Sequence, residues 1–225
     1  MRVLLCLSLS GLLIAPAGLS PAADNVAPEG FAAQFNGKDL TGWKGLVANP
    51  KVRATMKPEQ LAAAQAKADQ RMRDHWKVED GVLVFDGKGD NLCTEKLYGD
   101  FEMYVDWKIA RGGDSGIYLR GSPQVQIWDN KIGSGGLYNN QKKENPHDPP
   151  KKVDKPIGQW NTFRIKMIGE KVWVWFNGEL VVDNVTLENY WERSKPIYPI
   201  EQIELQNHGG PLWFKNIYIR EIPRQ

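Results

Sequence analysis

Apolar and polar residues alternate along most of this chain, and a period of two predicts β-strands. Segment 100–109 shows the alternation most clearly, with apolar residues at the odd positions from Phe101 to Ile109 and polar residues between them. Asn177-Gly178 is typical of a tight hairpin turn. Further strands are predicted at 31–35, 75–79, 82–86, 161–168, 172–176, 179–183, 202–206 and 212–221. Many short strands separated by turns predict an all-β fold, an antiparallel two-sheet jelly-roll sandwich.

One segment departs from this period. Residues 57–73 are rich in Ala, Gln, Lys and Arg, begin with Pro58, and place apolar residues from Leu61 to Met72 along one side. This pattern predicts one surface helix, inserted between early strands. Two long loops are expected at 139–156 and 186–199. The second carries aromatic residues, which is typical of a functional rim, whereas the lysine-rich first loop is typical of a disordered segment.

Polar side chains gather on one face of two neighbouring predicted strands, because alternate residues of a strand point to opposite faces. This polar face holds Asp114, Tyr118, Arg120, Gln124, Gln126 and Trp128. Sugar hydroxyls need hydrogen-bond partners and sugar rings pack on aromatic planes, so the composition is typical of a carbohydrate-binding face. If strands pair in sequence order, the residues that join this face are Asp106, Glu204, Gln206 and His208. The alternative is a solvated face on which Asp106 or Glu204 pairs with Arg120 or Lys108.

No hydrolase signature accompanies this face. The sequence has no Gly-x-Ser-x-Gly elbow, no His-Glu-x-x-His zinc motif and no phosphate-binding loop. Glu102 and Asp106 share a strand face but stand roughly 13 Å apart, farther than the two carboxylates of a glycosidase. Of the three histidines, only His208 follows a strand on the polar face, where an imidazole suits a general base. The alternative is a hydrogen-bonded structural histidine at a strand end.

The first 23 residues have the composition of a secretory signal. Arg2 precedes an apolar run over 3–15, and small residues end the segment. We therefore expect 1–23 to be a signal peptide, 24–225 to be a single domain, and the protein to be periplasmic or secreted; the alternative is a retained anchor. No later segment has the length of a membrane span. Basic and acidic residues number 29 and 27, so no basic surface indicates a nucleic-acid partner.

Motifs in the same order along 31–222 match those of a known family. They are Phe35-Asn36-Gly37-Lys38-Asp39-Leu40-Thr41-Gly42-Trp43, Trp76-Lys77-Val78-Glu79-Asp80-Gly81, Tyr98-Gly99-Asp100-Phe101-Glu102, Asp114-Ser115-Gly116-Ile117-Tyr118-Leu119-Arg120-Gly121, Gly158-Gln159-Trp160-Asn161-Thr162 and Leu205-Gln206-Asn207-His208-Gly209. On these residues the chain resembles the 3-keto-disaccharide hydrolase family, whose members look like concanavalin A-like jelly rolls. One departure is Gln124, where many relatives carry an acidic residue.

The resemblance implies cleavage of glycosides that are already oxidised to a ketone at C3. A 3-keto group acidifies the C2 proton, so one base can remove it; the C1 aglycone then leaves by elimination, and water adds afterwards. From the strand faces, we expect His208 to be the base and Asp106 or Glu204 to orient or replace it. Arg120, helped by Gln126, is expected to stabilise the enolate. The residues expected to hold the sugar are Asp114, Tyr118, Trp128, Tyr138 and Gln206.

Two other functions stay open on the sequence alone. The same aromatic face would serve a lectin-like carbohydrate-binding module without catalysis, and a conventional glycosidase is opposed only by the carboxylate spacing. The cluster of titratable residues favours an enzyme, because binding alone needs fewer ionisable groups. No cofactor is predicted. A divalent metal could assist the enolate, but no ligand cluster in the sequence argues for one.

Overall fold

The structure of the protein is a computed structural model that describes residues 23–223. Two antiparallel sheets form the predicted jelly-roll sandwich. In spatial order, the first sheet contains β11 (Glu179–Thr186), β10 (Lys171–Phe176), β9 (Asn161–Ile168), β6 (Phe101–Ile109), β13 (Leu212–Glu221), β4 (Val82–Phe85) and β3 (Trp76–Glu79), and β1 (Ala32–Ala33) also pairs with β13. The second contains β2 (Trp43–Gly45), β5 (Leu92–Thr94), β12 (Glu204–Leu205), β7 (Asp114–Leu119) and β8 (Ser122–Trp128). The predicted signal peptide lies outside the described residues, apart from Ala23.

The hydrophobic core lies between the two sheets. Every odd-numbered residue of β6 is buried, as its alternation predicts. Ile117, Val125 and Leu205 belong to the same buried cluster from the second sheet, and each is fully buried. The remaining residues of each strand therefore point to two outer faces, which lie on opposite sides of the sandwich.

Two helices precede β3, α1 (Pro50–Arg53) and α2 (Pro58–His75), so the predicted surface helix is confirmed. The second packs on the edge strand β2, where a Cβ at Gly45 would lie 2.2 Å from the Ala68 carbonyl oxygen. Asp69 accepts the Gly45 N–H at 3.0 Å, and Gln65 donates to the Gly45 carbonyl at 2.9 Å. Helix side chains thus pair with the backbone of an edge strand. Within residues 23–223, no helix combines the length and apolar character that a bilayer crossing needs.

The order of strands in space separates two residues that the sequence placed together. β6 lies between β9 and β13 in the first sheet, whereas β7 lies between β12 and β8 in the second. Asp106 accepts hydrogen bonds from Thr162 Oγ1 at 2.6 Å and Asn216 Nδ2 at 2.7 Å on the outer face of the first sheet. The prediction that Asp106 shares a face with Asp114 is therefore wrong, because the chain changes sheets between β6 and β7.

A tight turn redirects the side chain of Arg120. Arg120 and Gly121 connect β7 to β8, with φ values of 49° and 68°, as a two-residue hairpin turn requires. The Arg120 side chain is buried: Nε lies 3.3 Å from Met167 Sδ, and Nη1 donates to the Pro199 carbonyl at 3.1 Å. Nη1 also lies 3.9 Å from Asp100 Oδ1. The prediction that Arg120 lies on the polar face is wrong, because the alternation ends at this turn.

Candidate functional site

A cleft of about 310 Å³ opens on the outer face of the second sheet, a volume within the range of small-molecule sites. Strands β7 and β8 form its floor together with the residues that follow β12. The cleft is lined by Asp114, Tyr118, Pro123, Gln124, Gln126, Trp128, Tyr138, Asn139, Tyr190, Trp191, Gln206 and His208. Within the described part of the chain, Asp114 is the only acidic residue of this lining.

Three glutamine side chains meet around a glycine at the centre of the floor. Gly116 pairs with Gln126 across β7 and β8, and its carbonyl accepts the N–H of Gln206 at 2.9 Å. Because Gly116 has no side chain, the Gln124 carboxamide lies over it. A Cβ at position 116 would come within 2.8 Å of Gln124 Cδ and 3.0 Å of Gln124 Oε1. This glycine therefore gives Gln124 its place on the floor.

A chain of polar contacts crosses the floor and ends at His208. Gln124 Nε2 donates to Gln126 Oε1, and Gln126 Nε2 donates to Asp114 Oδ1 at 2.8 Å. Asp114 Oδ2 lies 3.5 Å from His208 Nδ1. Because Nδ1 faces the carboxylate, Nε2 of the imidazole is left for a ligand, and 61% of the His208 side chain is exposed. This arrangement suits an imidazole base that is oriented by a carboxylate.

Tyr118 presents a phenol hydroxyl to the same cleft. Gln206 Nε2 donates to Tyr118 Oη at 3.2 Å, so the phenol proton can be donated to a ligand. Burial raises the pKa of Tyr118, and the nearby charge of Glu204 raises it further, while the hydrogen bond from Gln206 opposes the shift. The hydroxyl therefore stays protonated at neutral pH and can donate to an oxyanion.

Aromatic pairs stand at both ends of the cleft floor. Trp128, at the end of β8, packs edge to face with Tyr138, and the ring centroids are 5.0 Å apart. Tyr190 and Trp191 pack in the same way at 4.8 Å, and the Tyr190 N–H donates to Ser122 Oγ at the start of β8. Each indole N–H donates to a backbone carbonyl, which anchors the ring. Such rings supply the flat apolar surfaces on which sugars pack.

Glu188 joins the two long loops beside the cleft. Its Oε1 accepts the N–H groups of Gln141 at 3.1 Å and Lys142 at 2.9 Å, and Asn145 Nδ2 at 3.2 Å. Burial acts to raise the pKa of Glu188, but these hydrogen bonds and the Arg193 charge outweigh burial and hold the pKa below its usual value. The lysine-rich loop, for which the sequence indicated disorder, is therefore tied to the aromatic loop.

The structure brings seven of the ten predicted site residues together in the cleft, namely Asp114, Tyr118, Gln126, Trp128, Tyr138, Gln206 and His208. The other three lie elsewhere. Asp106 lines a separate groove on the first sheet, Arg120 lies in the β7–β8 turn, and Glu204 is buried next to Tyr118 without lining the cleft. Asp114, which we expected to hold the sugar, is the carboxylate that faces His208. The roles of the seven stay predictions.

The sequence predicted no site role for five lining residues, namely Pro123, Gln124, Asn139, Tyr190 and Trp191. Alternation alone places Gln124 on the polar face beside Gln126, so a signal for it was present. Tyr190 and Trp191 had a weaker signal, the aromatic content of the loop 186–199. Asn139 carries no pattern that distinguishes it from other loop residues.

The metal-ligating side chains of residues 23–223 give no support for a metal site. Within residues 23–223, no three His, Cys, Asp or Glu side chains come together as ligands. Of these residue types, the cleft offers Asp114 and His208 alone.

Glu204 is a buried carboxyl group next to the cleft residue Tyr118, and its pKa is raised. It is 1% exposed and pairs with Tyr118 across β12 and β7. Burial raises the pKa of Glu204, and the hydrogen bonds that it accepts from Asn91 Nδ2 at 3.0 Å and Gln202 Nε2 at 3.1 Å offset this only in part. Glu204 does not line the cleft, and its predicted role beside the base stays a prediction.

We predict that the stability of Glu204→Gln falls less with rising pH than the stability of the wild type does. The folded state binds the Glu204 proton more tightly than the unfolded state, so the contribution of Glu204 to stability falls once the pH exceeds the ordinary value of 4.5. The slope is at most about 1.4 kcal/mol per pH unit. Urea unfolding of both proteins between about pH 5 and about pH 8 measures it. Exposed Glu95→Gln is the control, and parallel curves for Glu204→Gln and wild type would contradict the prediction.

Similar structures support the architecture. The protein resembles a crystal structure of a candidate glycosyl hydrolase from Parabacteroides distasonis, with 24% identity and a TM-score of 0.65 over 89% of this chain and 100% of that chain. A second candidate glycosyl hydrolase from the same organism shares 25% identity with a TM-score of 0.61, over 87% of this chain and 85% of the other. Both likenesses extend over nearly the whole sandwich.

Sequence comparison identifies the family. The chain is 23% identical to a 3-keto-disaccharide hydrolase from Bacteroides thetaiotaomicron, over 88% of this chain and 80% of that protein. The sequence profile of the 3-keto-alpha-glucoside-1,2-lyase-like domain matches residues 30–220, which include β1, every strand of the cleft floor and His208. The chain therefore belongs to the 3-keto-alpha-glucoside-1,2-lyase-like domain family.

Proposed function

We propose that this protein cleaves 3-keto-glycosides by removing the C2 proton and eliminating the C1 aglycone. The observation that carries the proposal is the Asp114–His208 pair, which shares one cleft with the Tyr118 hydroxyl. Family membership supports the substrate class, since the Bacteroides relative is named as a 3-keto-disaccharide hydrolase. The aromatic pairs at the two ends of the cleft suit a sugar as ligand.

The reaction needs one base and one oxyanion donor. His208 Nε2 takes the proton from C2, and the electrons of the C2–H bond move to the C3 carbonyl, giving an enolate. The Tyr118 hydroxyl donates a hydrogen bond to this C3 oxygen. The enolate then reforms the ketone, a C1–C2 double bond forms, and the C1–O bond breaks. The departing alkoxide takes the proton from the His208 imidazolium, and water later adds across C1 and C2.

Asp114 acts as a positioning residue in this scheme. Its carboxylate faces His208 Nδ1 and accepts Gln126 Nε2, so the imidazole presents Nε2 to the sugar. The carboxylate also stabilises the imidazolium that forms when the C2 proton is taken. Gln126 in turn accepts a hydrogen bond from Gln124, so two glutamine amides orient the carboxylate that faces the base.

A conventional glycosidase fits this cleft less well. Inverting and retaining enzymes both use a pair of carboxyl groups beside the glycosidic bond. The cleft lining contains one, Asp114, and it is already engaged with Gln126 and His208. Elimination chemistry needs no second carboxyl group, because the 3-keto group itself activates the C2 proton.

The test compares methyl 3-keto-glucoside with unoxidised methyl glucoside. We expect turnover of the keto sugar alone, detected as release of methanol. Turnover of both sugars would contradict elimination through a ketone. Binding of both sugars with turnover of neither would make the protein a lectin-like module, which is the second function that the aromatic ends of the cleft favour.

We also propose that the protein is exported to the periplasm or secreted, because residues 1–23 have the composition of a signal peptide. Fractionation of producing cells and sequencing of the mature amino terminus test this. An uncleaved chain in the cytoplasmic fraction would contradict it.

A further inference from the structure

One buried acceptor on the cleft floor has no donor. Gln124 is 4% exposed and lines the cleft, yet within residues 23–223 no group donates to its Oε1. A buried carbonyl oxygen without a hydrogen bond is costly, and most such groups in folded proteins are paired. An acceptor of this kind in a binding cleft is typical of a group that is completed by its ligand.

The orientation of this amide follows from its neighbours. Gln126 Nε2 contacts three acceptors: Asp114 Oδ1 at 2.8 Å, and the carbonyls of Ser115 and Ile127, both at 3.2 Å. Because these groups accept only, Gln126 must present its NH₂ to them and its Oε1 to Gln124. Gln124 must then donate Nε2 to Gln126, which leaves Gln124 Oε1 over Gly116 without a donor.

A second buried acceptor belongs to the same cleft lining. Gln206 is the neighbour of Gly116 on the other side of β7, and its Oε1 is also buried without a donor in the described chain. Its Nε2 donates to Tyr118, the hydroxyl that we assign to the C3 oxygen. Gln124 and Gln206 therefore lie on the two sides of Gly116, in the cleft that is also lined by His208 and Tyr118.

We propose that Gln124 is a specificity-determining residue that accepts a hydrogen bond from a hydroxyl of the sugar ring, with Gln206 accepting a second. This inference rests on the proposed function. It adds which hydroxyl groups a 3-keto-hexoside must carry to be a substrate. In a 3-keto-hexoside the C3 oxygen can only accept hydrogen bonds. The donors that remain on the sugar are therefore the hydroxyls at C2, C4 and C6. Hexosides that lack the hydroxyl read by Gln124, or carry it as an ether, are rejected.

The test uses 2-deoxy, 4-deoxy and 6-deoxy analogues of methyl 3-keto-glucoside. We expect wild-type kcat/KM to fall by about 100-fold for at least one analogue, because the analogue leaves Oε1 unpaired. In Gln124→Leu, that analogue and the parent sugar should react within about threefold of each other, since the acceptor is gone. Gln70→Leu, on the exposed face of α2, is the matched control and should discriminate as the wild type does.

Two results would overturn the inference. One is wild-type protein that treats the parent sugar and all three analogues alike. The other is a Gln124→Leu variant that folds, as its circular dichroism would show, and keeps the wild-type discrimination. If no keto sugar is turned over, the proposed reaction is wrong, but the inference can still be tested. Calorimetry then measures the dissociation constants of methyl glucoside and its three deoxy analogues in place of kcat/KM. We then expect wild type to bind at least one deoxy analogue more weakly than methyl glucoside, and Gln124→Leu to lose this difference. Equal binding of all four sugars by the wild type, or binding of none of them, overturns the inference.

Discussion

His208→Gln is expected to lower kcat for a 3-keto-glucoside by about 10²–10⁴-fold, the usual contribution of a general base. Glutamine fills similar space and can present an amide N–H to Asp114, but it cannot accept the C2 proton. Because we propose that the aromatic pairs and the floor amides hold the sugar, we expect KM to change much less than kcat. Steady-state kinetics on wild type and variant measure both quantities.

The chain offers a matched control for this variant. His75 Nδ1 lies 3.0 Å from Asp86 Oδ2, so it is a second histidine–aspartate pair, and neither residue lines the cleft. His75→Gln should therefore leave kcat unchanged. A His208→Gln enzyme with wild-type turnover would show that another group removes the proton, and the proposed role of His208 would be wrong.

Tyr118→Phe is expected to lower kcat by about 10²–10³-fold, the range measured when one oxyanion donor is removed. The substitution deletes a single hydroxyl and keeps the ring that packs beside the cleft. Since the donor acts on charge that develops at the C3 oxygen, its loss should affect kcat more than KM. Because burial raises the pKa of Tyr118, ionisation of the phenol should not limit wild-type activity between about pH 6 and about pH 9.

Tyr104→Phe is the control for this second variant, because Tyr104 lies on the outer face of the first sheet beside a different groove. It should retain full activity. If Tyr118→Phe is as active as the control, the enolate is stabilised by a group other than Tyr118. A loss of activity that appears only in KM would instead make Tyr118 a ground-state sugar contact.

The strands could be predicted from the sequence because alternation is a local property. The pattern from Phe101 to Ile109 matches the burial of β6, and 212–221 coincides with β13. The short strand β2 was not predicted, since three residues are too few to establish a period. Pairing between strands is set by distant parts of the chain. For that reason the sequence could not show that β6 and β7 lie in different sheets, and Asp106 was placed in the wrong face.

Site residues could be predicted where neighbouring strands place them, and could not be predicted where distant segments or a turn decide their position. Asp114, Tyr118 and Gln126 reach the cleft because β7 and β8 are neighbours in sequence and in space. Arg120 does not, because a positive φ at a single turn residue overrides the alternation. Glu204 keeps its predicted strand face but is buried, and burial depends on segments that pack from elsewhere in the chain.

The most direct test of the account is the position of solvent hydrogen in the product. The protein is incubated with methyl 3-keto-glucoside in D₂O, and the sugar product is examined early in the reaction for deuterium at C2. A product sample kept in D₂O without enzyme corrects for spontaneous exchange. Removal of the C2 proton followed by addition of water across C1 and C2 predicts deuterium at C2 in the released sugar. A product that retains its original C2 hydrogen would contradict the proposed elimination.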